Sequence, residues 1–144
     1  MIFNALIGNH DAHAKNFSLL YSGKAPVLAP SYDTLSTAAY PTMTQKMAMK
    51  IGSKYKFSEV QARHWEQFAE CVGFTKAQAK RRILELAKLL PATARKLQSD
   101  PGQSFAGNAV VEQINTLIEQ RCALTIRRLT DPAADNDAAV EPSV

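Results

Sequence analysis

Cysteine, glycine clusters and long apolar runs are all scarce in this chain, and each shortage removes a class of protein. The 144 residues include two cysteines, Cys71 and Cys122, both within helical patterns. They supply no disulfide framework and read as two buried free thiols. The six glycines fall at 8, 23, 52, 73, 102 and 107, so no glycine-rich loop is present to cradle phosphates. No stretch approaches the roughly eighteen uncharged apolar residues that cross a bilayer, and Met1-Ile2-Phe3-Asn4 lacks the basic start of a secretory signal. The expected address is cytoplasmic, with no membrane partner. Charge is unevenly spread: residues 131–144 hold Asp131, Asp135, Asp137 and Glu141 with no Lys or Arg. The formal charge of +4 therefore resolves into −4 on that segment and +8 on residues 1–130. A basic body suits a nucleotide site or an acidic partner, and a solvated surface accounts for the same charge.

What is present is enough for one domain. Apolar residues make up 46% of the chain and the mean hydropathy is −0.20, as in ordinary globular proteins. Ile2, Phe3, Leu6 and Ile7 share one side of a helix stopped by Gly8. Phe17–Tyr21 and Pro26–Ala29 flank Ser22-Gly23-Lys24-Ala25, the pattern of a small β-hairpin. Residues 37–45 show no period, and Met47–Ile51 alternates as an edge strand. From Ser58, read as an N-cap, Val60, His64, Trp65, Phe68, Ala69 and Val72 define a helical face ending at Gly73. Thr75 caps a second helix through Ala79, Ile83, Leu86, Ala87 and Leu90. Pro91 is expected to break or kink it before a continuation through Ala94 and Leu97. Asp100-Pro101-Gly102-Gln103 makes a turn, and Asn108 to Leu129 forms one long amphipathic helix. The expected fold is mainly α with a small hairpin near its N-terminus, over residues 1–130, followed by a disordered acidic tail at 131–144.

Chemistry is concentrated at one end. The run Asn9-His10-Asp11-Ala12-His13-Ala14-Lys15-Asn16-Phe17, followed by Tyr32-Asp33, spaces Asp11 and Asn16 as in a phosphotransferase catalytic loop. In such loops an Asp accepts the proton of the attacking hydroxyl, while an Asn five residues on and a later Asp hold Mg²⁺ against the triphosphate of ATP. The hairpin between them would return Asp33 toward Asn16, which lets residues seventeen apart share one metal. Asn16 and Asp33 are hard oxygen donors suited to Mg²⁺. Each residue also has a bland reading: Asp11 as a turn cap, Asp33 as an Asx-turn stabiliser ahead of Leu35. His10, Asp11 and His13 could in principle ligate zinc or iron, but three nearby loop residues rarely converge on one ion and no Cys completes the set.

These residues resemble the HipA-like serine/threonine kinases, the toxin half of bacterial toxin–antitoxin pairs. Phe3–Asn9 is similar to the helix entering that family's catalytic loop and Asp11–Phe17 to the loop itself. Pro30–Ser36 is similar to its metal-binding segment, and Met47–Gly52 to the strand that follows. The resemblance implies a kinase C-lobe-like helical domain. It implies Asp11 as catalytic base, His13, Ala14, Lys15, Asn16, Tyr32 and Asp33 around ATP, and Asn16 and Asp33 on Mg²⁺. It further implies a protein substrate and an antitoxin partner, with nucleic acid reached only indirectly. A full member carries an N-terminal lobe of a few hundred residues, so the chain is expected to be a fragment, a truncated frame or half of a split gene that needs that lobe. Two other readings stand beside this one: a non-catalytic helical module that docks on a partner lobe or antitoxin, and a lipid or small-molecule kinase, since Asp-x-His-x-x-Asn also resembles the phosphoinositide-kinase loop. Lys76, Lys80, Arg81 and Arg82 form a basic stripe read as a solvated helix face, and His64 reads as a packed, hydrogen-bonded core histidine.

Overall fold

The structure, a computed structural model, describes residues 1–131. The acidic tail expected to be disordered, 131–144, lies outside the described residues except for Asp131. In order along the chain come α1 (Ile2–Ile7), a two-residue hairpin of β1 (Leu19–Leu20) and β2 (Val27–Leu28), and a second hairpin of β3 (Lys46–Ile51) and β4 (Lys54–Lys56). Three helices follow: α2 (Ala62–Cys71), α3 (Lys76–Gln98) and α4 (Ala109–Thr130). The fold is mainly α, as expected. Leu19 pairs with Leu28 and Leu20 with Val27 in antiparallel register, which places the first hairpin where the two apolar runs suggested it. The second hairpin adds a partner, β4, for the strand at Met47–Ile51.

The core gathers one apolar face from each helix. Leu6, Ile51 and Ile83 are fully buried, with Cys122, Trp65 and Ala69 packed among them. Helix α4 lies along α3 and also reaches α1. Two arginines on α4 complete the joint, although Arg is rarely buried unless its donors are satisfied. Arg121 Nε donates to the Ala5 carbonyl at 2.9 Å and its guanidinium lies 3.7 Å from the centroid of the Phe57 ring. Arg128 donates to the carbonyls of Val60 at 2.7 Å and Ser58 at 2.9 Å. Both arginines fall at heptad spacing from Ile114 on the buried face of α4, but their residue type gives no sign of the distant carbonyls that satisfy them.

Three local expectations change. Helix α2 begins after Gln61, not Ser58, because Phe57–Glu59 first makes a 3₁₀ turn whose Ser58 carbonyl Arg128 holds. The Gln61 N–H donates to His64 Nδ1 at 2.9 Å, so buried His64 is indeed packed and hydrogen-bonded. Pro91 sits inside an unbroken α3. A proline there costs about 3 kcal/mol, and the long packing of α3 along α4, with Ile83 and Ala87 buried in the core, offsets it. Cys71 is exposed at the end of α2 while Cys122 is buried; the helical period placed both near apolar positions, but α2 ends before Cys71 meets a neighbour. Burial pushes the Cys122 thiol up to about 11. A thiol-reactive dye should therefore label one cysteine rapidly in the folded chain, and Cys71→Ser should remove that fast phase entirely.

The basic stripe is a solvated face, with three of its four charges met locally. Lys76 pairs with Glu66 at 2.9 Å, and Arg82 with Glu85 at 3.1 Å. A more structured pair joins α3 to α4: Arg95 contacts Glu112 at 2.6 Å and Glu119 at 2.6 Å. The Arg95 hydrogen bonds hold both carboxyls below the usual glutamate range. A carboxyl depressed in the folded state stabilises fully above its unfolded value of about 4.3. That contribution disappears as pH falls through the depressed folded values. These groups are exposed and the effect is small. The Tm difference between the wild-type chain and Arg95→Gln should be present at pH 7, shrink below about pH 4 and shrink again in about 1 M salt.

Candidate catalytic loop and metal-binding pair

Gly8 ends α1 in the left-handed region at φ 78, a conformation glycine adopts without steric cost. The chain then reverses into the loop, and the segment after the first hairpin is fastened to this turn. The Ala38 N–H donates to the Gly8 carbonyl at 2.9 Å, and the Ser36 hydroxyl donates to the Ile7 carbonyl at 2.7 Å. His10 is buried: its N–H donates to Thr37 Oγ1 at 2.8 Å, and its carbonyl accepts from Ala48 N–H at 2.7 Å. Helix end, loop and β3 are thus tied together around residues 8–12.

Asn16 and Asp33 meet. The Asn16 Nδ2 donates to Asp33 Oδ2 at 2.6 Å. A 3₁₀ turn at Ala14–Asn16 folds the loop back on itself, and the His13 N–H donates to Asn16 Oδ1 at 3.1 Å. That leaves the second lone pair of the amide oxygen and the other Asp33 carboxylate oxygen for a further partner. One step before Asp33, the Tyr32 hydroxyl donates to the Lys15 carbonyl at 2.8 Å and accepts from Ser18 Oγ at 2.8 Å. Lys15, Asn16, Tyr32 and Asp33 therefore form one hydrogen-bonded unit across the base of the hairpin. Asp33 itself has φ 53, a left-handed value that Asp tolerates better than most side chains.

The remaining predicted residues sit on the same loop with their functional atoms uncommitted. Asp11, Ala14 and Lys15 are exposed and His13 is half-buried. Among the described residues the Asp11 carboxylate and the Lys15 ammonium make no hydrogen bond or ion pair. A shallow cleft is lined by Asn9, Asn16, Phe17, Leu28, Tyr32 and Asp33, among others; Asp11, His13, Ala14 and Lys15 lie outside its wall. The donor set of Asn16 and Asp33 fits Mg²⁺, which prefers oxygen and takes few protein ligands beside phosphates and water. Among the described residues no group of three or more His, Cys, Asp or Glu is arranged to hold a metal, so the His10, Asp11 and His13 alternative gains no support.

One residue of this site escapes a reading by motif. Asn9 is 4% exposed, and its side chain spans the two halves of the site. Its Oδ1 accepts from the Asp11 N–H at 3.2 Å and its Nδ2 donates to the Asp33 carbonyl at 3.2 Å. Proximity to Asp11 in sequence is the one signal that pointed to it.

Known proteins share this arrangement of chain. The HipA-like C-terminal domain family model matches residues 1–94. The chain is 37% identical over 123 residues to a Sinorhizobium fredii protein named "Putative kinase Y4mE", covering 85% of this chain and 29% of that one. It is 28% identical over 90 residues to the serine/threonine-protein kinase toxin HipA of Shewanella oneidensis, covering 62% of this chain and 21% of the toxin. Its fold matches a chain from the Shewanella oneidensis MR-1 complex of HipA, HipB and operator DNA with a TM-score of 0.78 at 24% identity, covering 98% of this chain and 32% of that one. The chain thus spans about a third or less of the length of these relatives. With the family model matched over well over half its residues, the chain belongs to the HipA-like C-terminal domain family.

Proposed function

We propose that the chain is the catalytic-loop lobe of a HipA-like Ser/Thr protein kinase, the toxin of a toxin–antitoxin pair. Joined to an N-terminal lobe, it transfers the γ-phosphate of ATP to a protein hydroxyl in the cytoplasm. The Asn16–Asp33 contact at 2.6 Å carries the reading, because it brings together two side chains from distant parts of the chain, each with an oxygen to offer a metal, beside the loop that holds Asp11. Asp11 accepts the proton of the acceptor hydroxyl. Asn16 and Asp33 hold Mg²⁺, which when bound neutralises the charge of the phosphates. Lys15 offers a point charge to the phosphates, with His13, Ala14 and Tyr32 around the nucleotide. Positioning and charge neutralisation supply most of the catalysis in phosphoryl transfer. An antitoxin is the expected regulatory partner, with DNA contacted only through it.

A second reading has its own support. Leu19, Leu20, Val27 and Leu28 are each about half exposed or more, on both faces of a two-stranded hairpin. Such a hairpin is marginal unless covered, and an apolar patch of this kind marks a docking surface. On that reading the isolated chain docks on a partner lobe or antitoxin and binds no nucleotide by itself. Titration calorimetry with Mg-ATP separates the two: micromolar binding by the chain alone contradicts docking without nucleotide. Heat changes appearing only after an N-terminal lobe is supplied fit a catalytic lobe completed by its partner. A joined pair that still binds no Mg-ATP overturns the kinase reading.

A further inference from the structure

Asn9 occupies a position that neither a metal ligand nor a proton acceptor needs to occupy. It is buried, it lines the cleft, and its two amide functions point to two different segments. The Oδ1 takes the N–H of Asp11, fixing the start of the loop. The Nδ2 gives one hydrogen to the carbonyl of Asp33 and approaches Asn4 Oδ1 at 3.4 Å with the other. Asp33 is the one described non-glycine residue with positive φ. A carbonyl held from below is what keeps that residue in a conformation that sets the direction of its side chain. Without such a restraint an Asp relaxes toward the extended or right-handed regions, and its carboxylate turns with it.

We infer that Asn9 is the positioning residue of this site: one buried amide sets the Asp11 loop and the Asp33 backbone relative to each other, and through Asp33 it aligns the Asn16–Asp33 pair for a divalent cation. The inference rests on the metal-binding reading of that pair, but the geometry it assigns to Asn9 can be measured without any metal. An amide is the side chain the position requires. Aspartate there keeps an acceptor for the Asp11 N–H and loses the donor to Asp33, so Asn9→Asp separates the two tasks. Alanine removes both.

The test uses the ¹⁵N-labelled full chain and two NMR readouts. The first is the intraresidue HN–Hα cross-peak of Asp33, which is strong at positive φ. It should weaken to the level of extended residues in Asn9→Asp and Asn9→Ala, while the Asp11 amide shift moves in Asn9→Ala and far less in Asn9→Asp. The second is broadening of Asn16 and Asp33 signals by Mn²⁺. The wild-type chain should show it, and both variants should need at least five times more Mn²⁺ for the same effect. Asn115→Ala provides the matched control, because Asn115 is also a buried asparagine, bonded to Gln98 of α3 at 2.7 Å and to none of the loop residues. It should lower Tm without changing either readout. A variant that keeps the Asp33 cross-peak and the wild-type Mn²⁺ response overturns the role given to Asn9. No broadening at Asn16 and Asp33 in the wild-type chain overturns the metal reading itself, and the cross-peak still decides whether Asn9 holds Asp33. Loss of signal dispersion in Asn9→Ala leaves the decision with Asn9→Asp, whose carboxylate fills the same volume.

Discussion

Asp11→Ala should lower phosphoryl transfer by about 10² to 10⁴ fold, the range removed when a positioned general base is lost. The assay is incorporation of ³²P from ATP into a protein acceptor, using the chain with an N-terminal kinase lobe fused upstream or supplied in trans. Asp11 is exposed and its carboxylate makes no bond to the rest of the described residues, so folding should be untouched and Tm unchanged. The rate loss should fall on kcat with KM for ATP nearly constant, because the base acts on the acceptor hydroxyl in the transition state. Asp33→Asn should behave differently. It removes the negative ligand, so activity should fall at ordinary Mg²⁺ and recover in part at high Mg²⁺. Undiminished phosphorylation by Asp11→Ala would remove the base assignment and leave the metal pair standing.

A large stability effect is expected of a small substitution at Gly8. Its φ is +78, and an added Cβ would lie 2.8 Å from Ala38 Cβ and 2.8 Å from Leu117 Cδ2. The left-handed backbone costs an L-residue about 1–2 kcal/mol and overpacking a filled site costs about 1–3 kcal/mol. Gly8→Ala should therefore destabilise by about 3 kcal/mol, which for a chain of this size lowers Tm by about 10 °C. Thermal denaturation followed by circular dichroism measures it. Gly23 supplies the contrast: nothing lies within 4 Å of its added Cβ, and Gly23→Ala should leave Tm where it is. Equal Tm values for the two variants would mean that the turn after α1 is looser than its contacts with Ala38 and Leu117 require.

Much of the site was legible because its information is local. Asp11 and Asn16 lie in one loop, and the paired apolar runs around Ser22-Gly23-Lys24-Ala25 imply a hairpin that brings Asp33 back, as the register Leu19 to Leu28 does. The helices were legible for the same reason: the period of Ile83, Ala87 and their neighbours, or the Thr75 cap, is written within a few residues. What was hidden depends on contacts between distant segments. Strand β4 is Lys-Tyr-Lys, three residues with no apolar alternation, and it exists because Ile51 and Lys46 supply a partner. The buried state of Arg121 and Arg128 depends on carbonyls about 70 or more residues earlier in the chain. Pro91 persists in α3 because the gain is spread along the α4 contact, which no local rule registers. Asn9 is the same kind of case: its type allows a turn, a cap or a ligand, and only the position of Asp33 selects the bridge.

The central claim is that Asn16 and Asp33 share one divalent cation next to the Asp11 loop. Anomalous diffraction from crystals of the chain grown with Mn²⁺ and a non-hydrolysable ATP analogue tests it most directly. The account predicts one manganese peak at about 2.0–2.2 Å from both Asn16 Oδ1 and an Asp33 carboxylate oxygen, with nucleotide phosphate on its open side. A manganese bound elsewhere with nucleotide present, or held by Asp33 while Asn16 points away, would contradict it.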